Sequence, residues 1–222
     1  MLQIYNKLLE LPLFLGIDRA DLAQIVDKTR FGFLKLEPNQ TLVEENQKCQ
    51  LLYFLMSGQM IAQTHSDNRR YSIIEQFHAP NIIQAEYFFG FSQRYTKTFT
   101  ARTDCSLLSL DKNEVLRLAS QHLIFQLNLL GTLATGSQRG SRILWHNEPT
   151  TLREQFVRFV VQRCMRPAGE KTINIRMKDL AAELHAPRLN ISSLLNSLQA
   201  DNLLTLSRGR IVIPALEKLI QE

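Results

Sequence analysis

The 222-residue sequence predicts an α+β fold in which a β-rich segment lies between helical ones. Three observations carry this prediction. Short apolar runs broken by turn residues fill the stretch from Phe31 to Leu110. An apolar-rich helical stretch from Leu123 to His146 follows it. Two amphipathic helices across a tight turn, and then a short hairpin, occupy Arg176 to Ile213.

Residues 1–30 are predicted to form two helices with a break between them. Apolar residues recur at helical spacing around Leu8 and again around Leu22. The sequence Leu11-Pro12-Leu13-Phe14 interrupts the pattern, and Gly16 follows it. Asp18 is then placed to cap the second helix.

Short strands are predicted between Phe31 and Leu110, because turn signals such as Pro38-Asn39 and Ser57-Gly58 separate the apolar runs. Strands of this length and spacing are typical of a β-sandwich or a barrel-like roll. The predicted strands are 31–36, 41–43, 51–56, 60–64, 72–77, 82–83, 99–101 and 107–110.

Helical character returns at Asp111, first over residues 112–119 and then over the long stretch 123–146. Along the long helix, apolar and small residues recur in alternating steps of four and three, as in a coiled-coil seam. Either the interior of one chain or a second copy can cover such a helix, and we expect a dimer. Thr151 is placed to cap the following helix. The predicted dimer residues are Leu123, Leu127, Leu130, Ala134, Ser137, Ser141 and Leu144.

From Arg176 to Leu204, two groups of apolar residues at helical spacing flank His185-Ala186-Pro187. Pro187 suits the first turn of the second helix. In a helix-turn-helix of this kind, the second helix enters the DNA major groove. No acidic residue lies between Arg188 and Asp201, which suits contact with bases and phosphates. The alternative is an ordinary helical hairpin with a solvated face.

A hairpin is predicted after the second helix, since Ser207-Arg208-Gly209-Arg210 is a turn signal between two short apolar strands. With an arginine on each side of its glycine, the hairpin is interpreted as the wing of a winged helix-turn-helix. Arg188 is expected to read guanine, and Leu189 is suited to a thymine methyl group. The predicted DNA-binding residues are Arg176, Lys178, Arg188, Leu189, Asn190, Ser192, Ser193, Asn196, Arg208 and Arg210.

Composition is that of an ordinary globular protein, with 45% apolar and 21% charged residues. The excess of 26 basic over 21 acidic residues is mild and by itself weak evidence for nucleic acid. No signal peptide or membrane span is predicted. Cys49, Cys105 and Cys164 lack CxxC spacing, which argues against a disulfide framework or a metal site and favours the cytoplasm. The scattered histidines argue against a cupin-like metalloenzyme.

In their order and spacing these features resemble the Crp/Fnr (cyclic-AMP receptor protein) superfamily of bacterial transcription regulators. The matching motifs are Leu11–Phe14 with Gly16, Tyr53–Gly58, Asp201–Leu204 and the hairpin Arg208–Ile213. The resemblance covers nearly the whole chain. It implies a homodimer that binds a palindromic operator on double-stranded DNA, has RNA polymerase as a partner and is not an enzyme.

The resemblance also implies a division of the chain into three parts. The first is an effector-sensing β-roll with N-terminal helices, similar to a cyclic-nucleotide-binding domain of the double-stranded jelly-roll type. A dimerisation helix with a hinge and a winged helix-turn-helix domain follow. These parts are expected at 1–118, 119–148 and 149–222.

The effector segment departs from the pattern of the nucleotide-binding members. There a Gly-Glu pair precedes Arg-Ser; the glutamate holds the ribose and the arginine pairs with the cyclic phosphate. Here Glu86 matches the glutamate if one residue is deleted, Thr96 matches the serine, and Tyr95 stands in the place of the arginine. Lys97 is adjacent, and Ser141 falls about where the dimer helix touches the purine. The pocket is either filled by its own side chains or suited to another ligand, and we expect no specific binding of cyclic AMP.

The recognition helix departs as well, because Leu189 and Ser193 replace a usual glutamate and arginine while Arg188 is kept. The base sequence read must therefore differ. His185 replaces the usual turn glycine, and histidine tolerates a positive φ better than most residues. Two other functions stay open: a regulatory module that acts through a protein partner without DNA, and a haem-based gas sensor with one histidine ligand.

Overall fold

A computed structural model describes residues 2–142 and 148–221, with side chains for 5–138 and 148–221. The chain forms two compact units: residues 1–60 with 77–144, and residues 61–76 with 145–222. The helices are α1 (Leu2–Leu9), α2 (Arg19–Lys28), α3 (Glu86–Phe89), α4 (Lys112–Gln121), α5 (Leu123–Arg142), α6 (Leu152–Arg163), α7 (Met177–Glu183), α8 (Arg188–Ala200) and α9 (Leu216–Gln221).

Every strand predicted between Phe31 and Leu110 is present, within one or two residues of its expected bounds. Three further strands, β9 to β11, lie in the C-terminal part of the chain. The strands are β1 (Gly32–Leu36), β2 (Thr41–Val43), β3 (Leu51–Ser57), β4 (Gln59–His65), β5 (Tyr71–His78), β6 (Asn81–Ile82), β7 (Thr98–Ala101), β8 (Cys105–Asp111), β9 (Lys171–Ile175), β10 (Thr205–Ser207) and β11 (Arg210–Ile213).

The N-terminal helices end and begin where the sequence predicts. Residues Pro12–Phe14 form a single 3₁₀ turn between α1 and α2. Asp18 is the N-cap of α2, and its carboxylate accepts a hydrogen bond of 2.8 Å from the backbone N–H of Asp21. This bond satisfies one of the free N–H groups at the start of the helix.

The first unit is built around an antiparallel sheet in the order β1-β8-β3-β6, and β2 pairs with β7. The predicted glycine turn after β3 is real: Gly58 has a φ of +94°, where side chains are rarely accommodated. A Cβ at this position would also collide with the backbone oxygen of Asp104. The turn therefore requires glycine on two counts.

Over residues 123–138, helix α5 packs on this unit through one face. Phe125 is fully buried. Its ring packs edge-on against the Phe14 ring, with 5.3 Å between the two ring centroids. Asn128 donates hydrogen bonds from Nδ2 to the backbone oxygens of Leu13, at 3.2 Å, and Leu15, at 2.8 Å. The Leu11–Phe14 motif thus seats the start of the long helix.

The second unit contains a sheet in the order β10-β11-β9-β5-β4, to which the hairpin of residues 61–76 contributes. Strand β9 was not predicted. It pairs antiparallel with β5 in a register that joins Tyr71 to Ile175 and Glu75 to Lys171. Its central residue, Ile173, is fully buried in the core that α6, α7 and α8 also form.

A buried ion pair crosses the β5–β9 register. The Lys171 ammonium lies 3.1 Å from the Glu75 carboxylate, and both side chains are at most 3% exposed. The Glu75 carboxylate also accepts from the backbone N–H of Met165 at 2.9 Å. A buried charge needs such compensation, because an unpaired one is strongly destabilising.

Helix α6 begins at the predicted cap. The Thr151 hydroxyl accepts from the backbone N–H of Glu154, whose carboxylate accepts from the Thr151 N–H in return. The backbone N–H of Thr150, which donates to the Glu154 carboxylate at 2.6 Å, and that of Thr151 lower the pKa of Glu154 below its usual value. Phe156, Phe159 and Val160 supply the buried face of the helix.

Candidate nucleic-acid interface and effector segment

The turn between α7 and α8 is set by two residues. His185 has a φ of +49°, so histidine does adopt the left-handed conformation expected at this place. Pro187 was expected in the first turn of α8, but it is the N-cap, and the helix begins at Arg188. Since proline has an extended backbone here and no N–H, it ends the turn without losing a helical hydrogen bond.

Helix α8 is fixed by its buried side, which carries Ile191, Leu195 and Leu198. Each of these is at most 1% exposed. Burial of such a side chain stabilises the fold by roughly 1.5–3 kcal/mol relative to leaving it in water. Helix α7 packs through Leu180, which is 1% exposed, and its Glu183 carboxylate accepts from the Arg163 guanidinium at 3.1 Å. The Arg163 guanidinium also donates to the Tyr71 hydroxyl at 2.8 Å.

The opposite side of α8 is open to solvent. Leu189 is 83% exposed, so a large apolar side chain lies in contact with solvent on this side of the helix. Ser192 is exposed only in part, so it contributes less to the solvent-facing side of α8 than predicted. We name the open set the exposed α8 face; its residues are Arg188, Leu189, Asn190, Ser193 and Asn196.

The two predicted cations at the start of α7 differ in their surroundings. The Arg176 side chain donates from Nε to the Asp179 carboxylate at 2.6 Å, and Asp179 itself is buried. Lys178 is exposed. Part of the Arg176 charge is therefore compensated within the chain, and Arg176 is a weaker attractor of anions than an unpaired arginine.

The predicted hairpin is formed by β10 and β11, with Ser207 paired to Arg210. Gly209 has a φ of +72°, which suits a tight hairpin turn. Arg208 and Arg210 are both exposed. The Gly209 carbonyl accepts from the backbone N–H of Ile175 at 2.9 Å, which ties the turn to the end of β9.

The predicted effector residues do not share one environment. Glu86 is exposed and Thr96 is half-buried, whereas Tyr95 is 1% and Lys97 is 8% exposed. The side chain of Ser141 lies outside the described residues. Of the predicted set, Tyr95 and Lys97 are thus buried inside the first unit, and Thr96 is buried in part.

Tyr95 fills the interior where the resemblance places an arginine. Its hydroxyl donates to the backbone oxygen of Leu51 at 2.8 Å. Burial raises the pKa of Tyr95, and the adjacent Cys49 thiol adds to the shift. Burial also raises the pKa of the Cys49 thiol. A tyrosine at this place carries no positive charge, unlike the arginine that the resemblance places there.

Thr96 is bound by a residue that the sequence did not single out. The Gln84 side-chain amide donates to the Thr96 hydroxyl at 2.6 Å and accepts from the Thr96 backbone N–H at 3.1 Å. Gln84 is 5% exposed and has a φ of +42°. The signal available in the sequence was the glutamine itself, near the place where nucleotide-binding relatives carry glycine.

The long helix α5 leaves part of its predicted seam uncovered. Leu123, Leu127 and Leu130 are 64%, 54% and 54% exposed, and Ala134 and Ser137 are also exposed. Leu144 and His146 lie outside the described residues, as does the side chain of Ser141. The described part of the seam is thus an apolar stripe without a cover from its own unit.

The structure describes neither a metal cluster nor a membrane span. Among residues 5–138 and 148–221, no three His, Cys, Asp or Glu side chains lie together as metal ligands would. In the same described part of the chain, no helix has the length and apolarity to cross a membrane.

Residues 33–122 match the family model of the cyclic nucleotide-binding domain. The chain also resembles solved structures. The catabolite activator protein of Thermus thermophilus is 18% identical, with a TM-score of 0.54 over 95% of this chain and 97% of that one. The sensor domain of the transcriptional regulator DNR from Pseudomonas aeruginosa is 17% identical, with a TM-score of 0.53 over 67% of this chain and 96% of that one.

An N-terminal domain of a transcriptional regulator from Streptomyces coelicolor A3(2) is 19% identical, with a TM-score of 0.50 over 65% of this chain and 99% of that domain. No curated protein matches the sequence. At these identities the structural matches show a shared fold. With the domain match, they confirm the resemblance that the order of elements indicated.

Proposed function

We propose that this chain, a Crp/Fnr-superfamily protein by its cyclic nucleotide-binding domain and its fold, is a sequence-specific DNA-binding transcription regulator. In this proposal, residues 1–118 sense an effector other than cyclic AMP, residues 119–148 dimerise and residues 149–222 form a winged helix-turn-helix that binds DNA. The chain acts as a homodimer in the cytoplasm, with double-stranded DNA and RNA polymerase as partners, and is not an enzyme.

The exposed α8 face is the observation that carries the proposal. It combines a guanidinium, two amides and a hydroxyl with the 83% exposed Leu189, on a helix without acidic residues. Guanidinium and amide groups form paired hydrogen bonds with base edges in the major groove, and an apolar side chain contacts the thymine methyl.

Cations on neighbouring elements are suited to the DNA backbone. Lys178 lies on α7, and Arg208 and Arg210 lie on the β10–β11 hairpin, all three exposed. Phosphate contacts fix the orientation of a protein on DNA, whereas base contacts supply specificity. We therefore assign base contacts to the exposed α8 face and phosphate contacts to the hairpin and to α7.

Selection of genomic DNA fragments by the full chain tests this assignment. We expect enrichment of a two-fold symmetric motif with half-sites about 34 Å apart. The double variant Arg188→Ala/Asn190→Ala should lose the motif, while Lys178→Ala should keep it with lower recovery. Capture of fragments without a shared motif, or of none, would contradict the proposal.

The apolar stripe on α5 supports the homodimer. Three leucines on this helix are more than half exposed, which costs hydrophobic free energy. A symmetric partner helix would bury them. Sedimentation of the full chain should show twice the 25.6 kDa mass of one chain. Leu127→Glu should give monomers.

The matched control is Leu116→Glu, because Leu116 is 56% exposed on α4 and lies outside the seam. That variant should stay dimeric. A wild-type chain that sediments only as a monomer, with and without DNA, would contradict the proposed homodimer.

A further inference from the structure

The sheet of the second unit brings two hairpin turns and the start of α7 to one end. In its register, Arg210 of β11 lies opposite Asn174 of β9, and Asn174 lies opposite Ser72 of β5. Beyond this row, β9 leads into Arg176 and α7, while β5 is preceded by the turn of residues 66–70 and β11 by the turn of its own hairpin. The 66–70 turn therefore lies at the same end of the sheet as the β10–β11 turn.

Arginines collect at this end of the sheet, and all of them are exposed. Three come from the predicted DNA-binding residues. The other two, Arg69 and Arg70, lie on a hairpin far earlier in the chain, so their spacing in sequence did not connect them with DNA. We name this set the basic sheet end; its residues are Arg69, Arg70, Arg176, Arg208 and Arg210.

Carboxylates bonded to this end of the second unit are compensated by arginine. Asp179 accepts from Arg176 at 2.6 Å, and Glu183 accepts from Arg163 at 3.1 Å. In the 66–70 turn itself, Asp67 is the single acidic residue beside two arginines. Positive charge is thus in excess along the basic sheet end, and such a surface attracts phosphates.

Hydrogen bonds fix the backbone of the 66–70 turn. The Ser66 N–H donates to the Tyr71 carbonyl at 3.0 Å, and the Arg69 N–H donates to the Ser66 carbonyl at 2.7 Å. The Asn68 side-chain oxygen accepts from the Ser66 hydroxyl at 2.9 Å and from the Arg70 N–H at 3.0 Å. The two arginines therefore start from a defined backbone, which lowers the entropy lost when they bind a ligand.

The β4–β5 hairpin is also anchored to the helices that precede the exposed α8 face. The Tyr71 hydroxyl accepts from the Arg163 guanidinium of α6 at 2.8 Å and donates to the Glu183 carboxylate of α7 at 3.4 Å. The Tyr71 ring packs on the Phe159 ring, with 5.5 Å between the centroids. These contacts and the β5–β9 pairing hold the 66–70 turn at a fixed distance from the β10–β11 turn.

We propose that the 66–70 turn is a further contact with the DNA backbone, in which Arg69 and Arg70 bind phosphates beside those bound by the β10–β11 hairpin. Neighbouring strands lie about 4.8 Å apart, so β5 lies about 10 Å from β11. Phosphates of one DNA strand recur about every 3.4 Å along the helix axis, so the two hairpins contact phosphates within about three positions of each other. This inference rests on the proposed function, since it requires that the chain bind DNA.

The test measures the affinity of the full chain for its selected operator and for random DNA at several salt concentrations. The main variant is Arg69→Asn/Arg70→Ala. Asparagine replaces Arg69 because its φ is +53°, a conformation that asparagine tolerates. The turn thus keeps its backbone and loses both charges.

The matched control is Arg166→Ala/Lys218→Ala, which also removes two exposed cations from the second unit. Arg166 lies in the loop before β9, at the opposite end of the sheet. Lys218 lies on α9, whose Leu216 N–H donates to the Gly169 carbonyl of the same loop at 3.1 Å. The control therefore changes the net charge by the same amount without touching the basic sheet end.

Arg69→Asn/Arg70→Ala should make the slope of log affinity against log salt shallower by about 1.8, which is about 0.9 for each lost phosphate contact. The fold-loss in affinity should be equal on operator and random DNA, because phosphates carry no sequence information. The control should keep the wild-type slope. Both variants should unfold at the wild-type denaturant midpoint, since all four side chains are exposed.

Ethylation interference locates the contact on the operator. Certain phosphates should weaken binding of the wild type when ethylated but not binding of Arg69→Asn/Arg70→Ala. They should lie within about three positions of the phosphate found by the same comparison with Arg208→Ala.

A wild-type slope in Arg69→Asn/Arg70→Ala, on an operator that the wild type binds, would overturn this contact and leave the proposed function intact. The turn would then suit an acidic protein surface instead. An equal change of slope in the control would also overturn it, because net charge and not position would be responsible. A wild-type chain that binds no DNA would refute the proposed function itself, and this contact with it.

Discussion

The exposed α8 face and the segment 84–97 treat polar side chains in opposite ways. On α8, Arg188, Asn190 and Asn196 project into solvent beside an exposed leucine. In segment 84–97, Gln84 and Tyr95 are buried and bonded to backbone groups. The contrast separates polar groups that remain free to bind a ligand from polar groups whose hydrogen bonds are already made inside the fold.

The largest expected effect concerns another buried polar contact, the ion pair between Lys171 and Glu75 in the second unit. Lys171→Met should lower the free energy of unfolding by about 3–5 kcal/mol, because it leaves the Glu75 carboxylate buried without its partner. Chemical denaturation followed by circular dichroism measures the loss.

Lys178→Met is the control for that experiment, since Lys178 is exposed, and it should change stability by less than about 0.5 kcal/mol. The double variant Glu75→Gln/Lys171→Met should recover most of the loss. Equal stabilities of Lys171→Met and the wild type would mean that the pair contributes nothing to the fold.

The next largest effect concerns DNA binding by the exposed α8 face. Arg188→Ala should weaken binding to the selected operator by about 1–3 kcal/mol and have much less effect on random DNA. Stability should not change, because Arg188 is exposed. Binding isotherms on both DNAs decide the matter, and equal losses on the two would assign Arg188 to phosphate and leave specificity to Asn190 or Ser193.

Tyr95→Phe should lower the free energy of unfolding by about 1 kcal/mol, since the Leu51 carbonyl loses its hydrogen bond inside the fold. Operator affinity of the folded variant should equal that of the wild type. A variant with unchanged stability but altered DNA affinity would show that Tyr95 serves a signalling role that the structure does not assign to it.

The same variant has a pH signature. An unfolded tyrosine ionises near pH 10, whereas burial raises the pKa of Tyr95 in the fold. The raised pKa contributes stability below about pH 10 that is lost as pH rises further, because the unfolded chain then releases the proton. The stability gap between wild type and Tyr95→Phe should therefore narrow above about pH 10. A constant gap, measured by denaturation at successive pH values, would count against a buried hydroxyl.

The smallest effect distinguishes two arginines of the proposed DNA surface. Arg208→Ala should make the slope of log affinity against log salt shallower by about 0.9. Arg176→Ala should change it less, because Asp179 already compensates part of the Arg176 charge at 2.6 Å. Isotherms at several salt concentrations give both slopes, and identical changes would mean that Arg176 leaves Asp179 when DNA binds.

Local chemistry was predictable from the sequence because it depends on neighbours along the chain. Asp18 and Thr151 cap the helices expected of them, Gly58 forms the expected turn, and His185 adopts the expected positive φ. The exposed leucines of α5 also lie at positions of the predicted seam. Whether they form a dimer interface, and whether the exposed α8 face binds DNA, stay predictions.

What escaped the sequence depends on partners far along the chain. Strand β9 is a short run that begins with a lysine, and Lys171 looks solvated until Glu75 is placed beside it. Gln84 was not singled out from the sequence, because its role depends on a side-chain hydrogen bond to Thr96, twelve residues later. Such contacts arise from three-dimensional proximity, which local spacing does not encode.

The pairing of β5 with β9 also orders events during synthesis. Tyr71 and Ile175 are partners in register but are separated by 104 positions in sequence, so the hairpin of residues 61–76 leaves the ribosome long before the strand that it pairs with. Until then its outer edge is unpaired, and such edges promote association with other chains. The nascent chain therefore passes through a period of exposure to misassembly that ends only when residues 171–175 arrive, and a fragment cut at residue 149 carries the complementary unpaired edge of β9.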